Sequence, residues 1–253
     1  MNNKPLLIIQ ARTGSTRLKN KILLPFYENK TIVDIIIENL KQHFKETQIV
    51  LATSLNKHDD ILKETAMRNS IHFFQGDENN VLKRFIDCAN KHKARTIVRV
   101  CADNPFILPE YIVPLIDKLT SNKLDYCSYM WKNGTPAMLS HIGIFCEAMT
   151  KDFLKRIYSA TNDNKYLEHV TNYLYYNKKM FKYIFADIPE ILENKQEIRL
   201  TVDTKSDFEN TRQIYSKVMR NNIKLNLINL LNLIEEDPQI ISRMKIQIQE
   251  NAK

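Results

Sequence analysis

The sequence predicts an α/β fold in which a mostly parallel central sheet is flanked by helices. Short β-rich runs alternate with segments of helical periodicity, which is typical of parallel strands joined by right-handed helical crossovers. About 43% of the 253 residues are apolar, enough to bury a sizeable core without disulfides or metals. No Gly-, Ser- or Pro-rich linker and no internal repeat interrupts the pattern, so we expect one domain over residues 1–253.

The first half of the chain alternates strictly between predicted strands and predicted helices. "LLIIQ" at residues 6–10 is a buried strand, and "TIVDIIIENLKQHF" at residues 31–44 is a helix with Thr31 as its N-cap. The remaining elements of this half are a strand at 48–54, a helix at 59–69, a strand at 71–74, a helix at 80–92 and a strand at 96–103.

The alternation changes after about residue 124. Apolar runs predict strands at residues 124–130, 140–145, 181–187 and 197–204. Helical periods fall at residues 147–158, 164–177, 206–221 and 226–250. We therefore expect a modified second half within the same domain.

The net charge of +8 and the pI of about 9.2 raise the question of a polyanionic partner. Cations with interleaved aromatic residues occur in "YLYYNKKMFKYIF" at residues 173–185, but this pattern is explained more simply by packing plus a strand. No nucleic-acid-binding motif accompanies the charge, so we expect no nucleic-acid partner.

Cysteine usage and the lack of long apolar runs predict a cytoplasmic protein. The four cysteines show no Cys-x-x-Cys pair and no histidine at zinc-ligand spacing, so we expect reduced thiols. No run reaches the roughly 18 apolar residues of a membrane span, and residues 6–9 are too few for the apolar region of a signal peptide. We therefore expect no membrane partner.

A basic loop, residues 11–21 with the sequence "ARTGSTRLKNK", follows the first predicted strand. It contains no acidic residue, and its four cations are Arg12, Arg17, Lys19 and Lys21. Gly14, Ser15 and Thr16 allow a tight turn and offer N–H and hydroxyl donors. Because α/β sheets bind ligands at the carboxyl ends of their strands, this loop favours a di- or triphosphate as counter-charge. The alternative is a solvated basic loop, since neither G-x-x-x-x-G-K-[ST] nor G-x-G-x-x-G is present.

Two aspartates follow buried strands. Asp103 comes after "TIVRVCA", and Asp203 comes after "IRLTV". Each could be a helix N-cap or a turn residue. Together with a polyphosphate, however, two carboxylates are the usual protein ligands of Mg²⁺. The pair therefore favours a magnesium site opposite the basic loop.

Six segments in fixed order carry a resemblance to a known family. They are "IIQARTGSTRLKNKIL", "VLATS", "FFQGDENNVLKRF", "VRVCADNPFILPEYI", "LEHVTNYLY" and "IRLTVDTKSDFENTRQIY". The chain resembles the cytidylyltransferase family typified by spore coat polysaccharide biosynthesis proteins, a relative of the CMP-KDO and CMP-sialic acid synthetases. The resemblance spans residues 6 to about 216, and its most specific parts are A-R-x-x-S-x-R-L-x-x-K from Ala11 to Lys21 and T-V-D-T at residues 201–204.

This resemblance implies a GT-A-like nucleotidyltransferase fold with an inserted β-arm that commonly forms a homodimer. It implies transfer of CMP from CTP to a sugar or sugar-like acceptor for surface glycan biosynthesis, with Mg²⁺ as cofactor and pyrophosphate as leaving group. Residues 1–123 would be the nucleotide-binding half, residues 124–225 the acceptor and dimerisation half, and residues 226–253 the C-terminal helices. The alternatives are another nucleoside triphosphate, a phosphate or phosphonate acceptor, or a non-catalytic nucleotide-binding protein.

The resemblance also implies roles for individual residues. Arg12 and Arg17 would grip the triphosphate near its α-phosphate, and Lys21 would neutralise the departing pyrophosphate. Asp103 and Asp203 would hold Mg²⁺ and complete the implied catalytic set of Arg12, Lys21, Asp103 and Asp203. The implied nucleotide-binding residues are Ala11, Arg12, Gly14, Ser15, Arg17, Lys21, Ala52 and Thr53. Lys19 falls at a variable position of the pattern and is expected to be a surface charge.

Three further positions have competing interpretations. Arg84 could approach the nucleotide or acceptor, but we favour a position on the surface of its helix. His169 could contact the acceptor or be a structural histidine. Gly143 stands where the family pattern G-x-x-x-E-x-F carries an acid, with His141 as the nearby ionisable side chain. A different acceptor or an altered acceptor geometry is therefore expected.

Overall fold

Seven strands form one mixed sheet in the computed structural model, which describes residues 4–251. In chain order they are β1 Leu6–Gln10, β2 Ile49–Ser54, β3 His72–Gly76, β4 Thr96–Cys101, β5 Tyr126–Met130, β6 Glu147–Thr150 and β7 Tyr183–Asp187. The order across the sheet is β3-β2-β1-β4-β6-β5-β7. Only β6 runs antiparallel to its neighbours, β4 and β5. The predicted mostly parallel sheet is confirmed.

Helices cover both faces of this sheet. In chain order they are α1 Ile32–Lys41, α2 Ile61–Arg68, α3 Val81–Lys91, α4 Ile112–Ser121, α5 Lys151–Ala160, α6 Asn164–Glu168, α7 Asn172–Tyr176, α8 Lys205–Arg220, α9 Leu227–Glu235 and α10 Pro238–Glu250. The sequence analysis did not predict α4. Among residues 4–251, none of the helices has the length and apolar character that crossing a membrane requires.

Alternating side chains of the central strands divide the core between the two faces of the sheet. In β1, Leu7 and Ile9 belong to one buried apolar cluster, and Leu6 and Ile8 belong to the other. A strand that is buried on both faces needs apolar residues at every position, which explains the continuous run "LLII". The parallel strands place the carboxyl ends of β1, β2 and β4 at one edge.

Side-chain caps fix where two of the helices begin. The Thr31 side chain accepts a hydrogen bond from Asp34 N, and the Asp34 carboxylate accepts one from Thr31 N, so the predicted N-cap of α1 is confirmed as part of a capping box. The same arrangement joins Thr204 and Asp207 at the start of α8. Because α8 begins here, its first turn lies directly after Asp203.

Two predicted strands, at residues 140–145 and 197–204, are buried segments without regular strand pairing. They exchange single backbone hydrogen bonds with each other and with the loop after β4, as in Leu200 N to His141 O at 2.9 Å and Val202 N to Asp103 O at 2.8 Å. Gly143 has a φ of 63°, which interrupts the extended conformation that a strand requires. The prediction of two strands here is therefore wrong.

The inserted β-arm is not present as a separate pair of strands within residues 4–251. The chain after β5 makes a turn in which Trp131 N donates to Thr135 O, and one isolated bridge joins Met130 to Pro136. Beyond this turn the segment returns to the core, where Ile142 and Phe145 are buried. The apolar side chains of this segment are used in packing rather than in an arm.

Candidate active site

A cavity of about 330 Å³, the first cavity, opens at the carboxyl ends of β1 and β4. The basic loop, Asp103 and Asp203 all contribute to its lining. The predicted site residues that line this cavity are Ala11, Arg12, Gly14, Ser15, Arg17, Lys21, Asp103 and Asp203. The structure therefore brings together residues that are up to about 190 positions apart in the chain, as expected for strand ends meeting at one edge.

Lys21 lies between the two predicted metal ligands. Its Nζ is 3.4 Å from Asp103 Oδ2 and 3.2 Å from Asp203 Oδ1, and it donates a hydrogen bond to Val202 O at 2.5 Å. Only 12% of the Lys21 side chain is exposed. The next residue, Ile22, is buried in the core and anchors the short 3-10 helix that presents Lys21.

Acids from distant parts of the chain pair with the arginines of the basic loop. Arg17 Nη2 lies 2.9 Å from Asp203 Oδ1, and Arg12 Nη2 lies 3.3 Å from Glu168 Oε1. The sequence analysis expected a ligand to supply the counter-charge of the loop. Acidic side chains of the protein already supply part of it. Arg12 and Glu168 are both about half exposed, and exposed ion pairs contribute only about 0–1 kcal/mol. The Asp203 side chain is only 9% exposed, so this value does not apply to its pair with Arg17. Arg12 can therefore exchange its carboxylate partner for phosphate oxygens at little cost.

A buried ion-pair cluster holds Asp203 in position. Arg199 is 1% exposed, and its Nη2 lies 3.2 Å from Asp203 Oδ2. Its Nε and Nη2 also donate to the two carboxylate oxygens of Asp207 at 2.7 and 2.8 Å. Burial raises the pKa of Asp207, but the bonds and charge of Arg199 and the Thr204 N–H outweigh this effect and hold the pKa below its ordinary value. The sequence analysis missed both Arg199 and Asp207.

The two aspartates fit a cation that arrives with a polyphosphate. Within residues 4–251, no three or more His, Cys, Asp or Glu side chains are grouped as they would be in a metal site built by the protein alone. Asp103 and Asp203 instead share one ammonium group, that of Lys21. Mg²⁺ is commonly bound by one or two carboxylates plus phosphate oxygens, so this donor set is the one expected.

Asp59 anchors the basic loop to the sheet. Its Oδ1 accepts hydrogen bonds from Thr13 N at 2.7 Å and Thr13 Oγ1 at 2.6 Å, and its Oδ2 accepts one from Ser54 Oγ at 2.5 Å. Asp59 is 3% exposed. Burial raises the pKa of its carboxyl, but the hydrogen bonds from Ser54 and Thr13 outweigh burial and hold the pKa below 3.8. The sequence analysis predicted a helix at residues 59–69 but assigned no role to Asp59.

We expect Asp59→Asn to lower the free energy of unfolding by about 1–3 kcal/mol, because at least one buried donor loses its acceptor. The pKa of Asp59 is depressed in the folded state, so its carboxylate stabilises the protein above pH 3.8 and loses that effect as the pH falls further. Urea unfolding between pH 3 and 7 should therefore show the gap between wild type and variant closing toward low pH. Asp60→Asn, an exposed neighbour, is the control, and a constant gap would contradict this role.

Arg84 is buried, so its predicted position on the helix surface is wrong. The residue is 1% exposed and lines the first cavity. Its Nε and Nη2 donate to Asp77 O at 3.0 and 2.7 Å, and Nη2 also donates to Glu78 O at 3.0 Å. Gly76 leaves room for it, because a Cβ at that position would lie 2.8 Å from Arg84 Cγ. Burial lowers the pKa of Arg84.

Ala52 and Thr53 are not brought to the first cavity. Both are fully buried in β2, where Ala52 O accepts a hydrogen bond from Ala11 N at 3.1 Å. Neither residue belongs to the lining of the cavity among the described residues. Ala52 therefore supports the basic loop through its backbone, and the implied contact of Ala52 and Thr53 with the base stays a prediction.

A second cavity, of about 620 Å³, adjoins the first. The two share a border that includes Arg17, Arg99, Asp103, His169 and Asp203. His169 is exposed and lies in the break between α6 and α7, where the sequence predicted one continuous helix.

Gly143 lines the second cavity, where it cannot be replaced by an acid without moving the backbone. In addition to its φ of 63°, a Cβ at this position would lie 2.8 Å from Thr201 N and 2.9 Å from Leu200 C. Both neighbours are backbone atoms, so they cannot turn aside as a flexible side chain would. An acid at position 143 would therefore require a different backbone conformation at this point.

Comparison with known proteins agrees with this fold. A family model described as cytidylyltransferase matches residues 6–233. The chain is 33% identical over 222 residues to the spore coat polysaccharide biosynthesis protein SpsF of Bacillus subtilis, covering 85% of this chain and 88% of that protein. It is 26% identical over 252 residues to 3-deoxy-manno-octulosonate cytidylyltransferase of Bartonella quintana, covering 83% and 98%.

Among solved structures, a cytidylyltransferase from Leptospira borgpetersenii superposes with a TM-score of 0.84 at 27% identity, covering 95% of this chain and 97% of that one. The family model, in turn, spans most of the sequence, including the basic loop, Asp103 and Asp203. The expected GT-A-like nucleotidyltransferase fold is confirmed by these matches. The chain therefore belongs to the cytidylyltransferase family and is an enzyme of the nucleotidyltransferase type.

Proposed function

We propose that this enzyme transfers CMP from CTP to a sugar or sugar-like acceptor, with release of pyrophosphate and with Mg²⁺ as cofactor. The observation that carries the proposal is Lys21, whose ammonium lies within 3.4 Å of both Asp103 and Asp203 beside two exposed arginines. Phosphate-binding cations and metal-binding carboxylates thus line one cavity. The names of the relatives from Bacillus subtilis and Bartonella quintana support CTP as donor and a surface glycan as destination.

The triphosphate would lie along the basic loop. Arg12 and Arg17 would leave their carboxylate partners and donate charge-assisted, bidentate hydrogen bonds to phosphate oxygens. Ser15 and the backbone near Gly14 would add further donors. Lys21 would turn toward the bond between the α- and β-phosphates, where negative charge develops as pyrophosphate leaves.

Asp103 and Asp203 would hold Mg²⁺ once Lys21 and Arg17 have turned to the phosphates. When bound, the ion neutralises charge on the phosphate oxygens and makes the phosphorus more electrophilic. The cluster of Arg199 and Asp207 keeps the Asp203 carboxylate in one orientation. The protein therefore contributes a fixed electrostatic environment rather than a covalent intermediate.

The second cavity would bind the acceptor, because it joins the first cavity along a shared border. An acceptor hydroxyl oxygen would attack the α-phosphorus of CTP in line as the bond to pyrophosphate breaks. His169, exposed at this border, would contact the acceptor. The proposal also includes a cytoplasmic homodimer, for which light scattering after size exclusion is the direct test.

The nucleotide assignment is tested by thermal stabilisation with CTP, UTP, ATP and GTP, each with and without Mg²⁺. We expect CTP with Mg²⁺ to raise the melting temperature most, and equal stabilisation by all four would contradict the cytidylyl assignment. Pyrophosphate release is then measured with CTP across sugar acids, neutral sugars, sugar phosphates and phosphonates. This panel separates a sugar acceptor from a phosphate or phosphonate acceptor.

We expect Lys21→Met to lower kcat by about tenfold or more, because the charge on the leaving pyrophosphate would lose its stabilisation. Lys19→Met is the matched control, since Lys19 is an exposed cation in the same loop. Pyrophosphate release under saturating CTP measures both variants. Equal kcat values for the two variants would mean that Lys21 has no part in the transfer.

A further inference from the structure

Arg99 is a charged residue within a central strand of the sheet. It lies in β4 between Val98 and Val100, which are fully buried, and 15% of its own side chain is exposed. Placing a guanidinium here is costly unless partners compensate for the lost hydration. The residue was not among the site residues that the sequence analysis identified.

Two neighbouring strands supply those partners. Arg99 Nη1 lies 2.5 Å from Glu147 Oε1, and Glu147 is the residue directly opposite Arg99 in the antiparallel pairing of β4 with β6. Arg99 Nε donates to Gln10 Oε1 at 2.9 Å, on β1. Nη2 makes no hydrogen bond within residues 4–251. Hydrogen bonds therefore fix Nε and Nη1 of the guanidinium, while Nη2 keeps its donors.

Glu147 is itself held rigidly. Its side chain is fully buried, and it accepts hydrogen bonds from Tyr126 Oη at 2.5 Å and from Thr171 Oγ1 at 3.1 Å. Burial and the charge of Glu147 raise the pKa of Tyr126, so the phenol stays a neutral donor. Burial lowers the pKa of Arg99, but the neighbouring Cys101 thiol and the Glu147 carboxylate outweigh it and raise the pKa. The guanidinium therefore stays charged and keeps one orientation.

A structural role alone is a weak explanation for this pair. Replacing a buried ion pair by apolar residues of similar volume is often neutral or stabilising, so a buried pair is weak evidence of a role in stability. Arg99 lines both cavities at their shared border. Away from this border, the described lining of the second cavity is uncharged, with Asn104, Asn172 and Phe145 among its residues. An anion that spans the junction would therefore meet Arg99.

We propose that Arg99 binds an anionic oxygen where the two cavities meet, and that Glu147 is the positioning residue that presents its guanidinium. This inference rests on the proposed function for the identity of the anion. The oxygen belongs either to a phosphate of the nucleotide or to an acidic group of the acceptor. Both sources offer the same planar, charge-assisted recognition by the arginine fork.

The experiment compares Arg99→Gln and Arg99→Lys with wild type in two binding assays. In the first, calorimetry measures the affinity for CTP and for cytidine, which lacks phosphate. In the second, a panel of sugar acids and the matching neutral sugars is tested for thermal stabilisation of the CTP-saturated protein. Arg68→Gln is the control, because Arg68 pairs with Asp34 at 2.8 Å and lines neither cavity among the described residues.

If the anion is a nucleotide phosphate, Arg99→Gln should lower the affinity for CTP at least about tenfold and leave the affinity for cytidine unchanged. If the anion belongs to the acceptor, CTP affinity should stay within about twofold, while stabilisation by sugar acids is lost. Arg99→Lys should give an intermediate loss of binding in either case, because lysine keeps the charge but not the planar set of donors of the guanidinium. Wild-type behaviour of Arg99→Gln in both assays would overturn the proposal.

Glu147→Gln tests the positioning role, because it keeps the shape of the side chain but removes its charge. We expect Glu147→Gln to weaken the binding of the same ligand that Arg99→Gln affects. Circular dichroism should first show that the variant is folded. A purely structural role would lower the melting temperature and leave the affinity unchanged, which would overturn this part. If Glu147→Gln fails to fold, Tyr126→Phe removes one hydrogen bond from Glu147 and should cause a smaller loss for the same ligand.

Pyrophosphate release by wild type separates this inference from the proposed function. If wild type releases none with any acceptor, the proposed function fails, but the binding assays still report on Arg99. If wild type releases pyrophosphate and Arg99→Gln binds every ligand as wild type does, only the assignment of Arg99 fails.

Discussion

Asp103→Asn and Asp203→Asn are each expected to lower pyrophosphate release from CTP by at least about 100-fold. Asparagine keeps the size of the side chain but removes the negative charge that Mg²⁺ and Lys21 both require. Asp103 is the cleaner of the two, because its side chain is 30% exposed and contacts Lys21 alone among the charged groups of the first cavity at 3.4 Å. The measurement is initial rate against Mg²⁺ concentration at saturating CTP.

Glu168→Gln is the matched control for these variants. Glu168 also lines the first cavity, but its carboxylate pairs with exposed Arg12 rather than with Lys21. Removing its charge should change the rate by less than about threefold, since exposed ion pairs contribute little. Full activity in both aspartate variants would exclude the proposed metal site, whatever the control shows.

Asp207→Ala is expected to lower the free energy of unfolding by about 3–5 kcal/mol, because it leaves the buried charge of Arg199 without its main partner. Asp207 also accepts hydrogen bonds from Asp203 N at 3.0 Å and Thr204 N at 2.9 Å, so the half of the capping box of α8 that its side chain makes is lost as well. Urea unfolding at pH 7 measures the effect. Since the pKa of Asp207 is held below 3.8 in the folded state, the loss should diminish as the pH falls below that value.

Glu209→Ala lies in the same helix and provides the comparison. Its carboxylate is 3.8 Å from Lys205 Nζ, and both side chains are more than half exposed. We expect a change within about 0.5 kcal/mol. An Asp207→Ala variant as stable as Glu209→Ala would mean that Arg199 finds another partner or water.

The elements that hold the basic loop and the aspartates could be predicted because local rules specify them. "LLIIQ" has the continuous apolar pattern of a strand buried on both faces, and Thr31 precedes a helical period with an acid three residues later. Asp103 and Asp203 follow such apolar runs directly. The meeting of these residues at one edge then follows from parallel strand topology.

The buried segments at residues 140–145 and 197–204 could not be distinguished from strands, because an apolar run reports burial and not the pairing of the backbone. Arg84 shows a different failure. It lies three residues after Val81 and four before Cys88, so helical spacing places it on the buried face of α3, a signal that was available but was outweighed by its charge. Arg99 was equally visible as a cation within the strand "TIVRVC".

The pairing of the loop cations could not be predicted at all. Glu168 is 156 residues from Arg12, and no local rule connects them. The same holds for the hydrogen bonds from Thr13 to Asp59, which depend on where the loop after β2 packs. Long-range electrostatic partners are fixed by the completed fold, so a single sequence shows the charges but not their partners.

Gly143 couples two segments that line the second cavity, residues 140–145 and 197–202. Its backbone conformation suits glycine, and Thr201 N and Leu200 C occupy the space that any side chain would need. A single substitution of Gly143 by an acid would strain the backbone here, because the side chain would meet Thr201 N and Leu200 C. Engineering of acceptor range should therefore exchange residues 140–145 and 197–202 together, because saturation of position 143 alone would return destabilised proteins instead of new specificities.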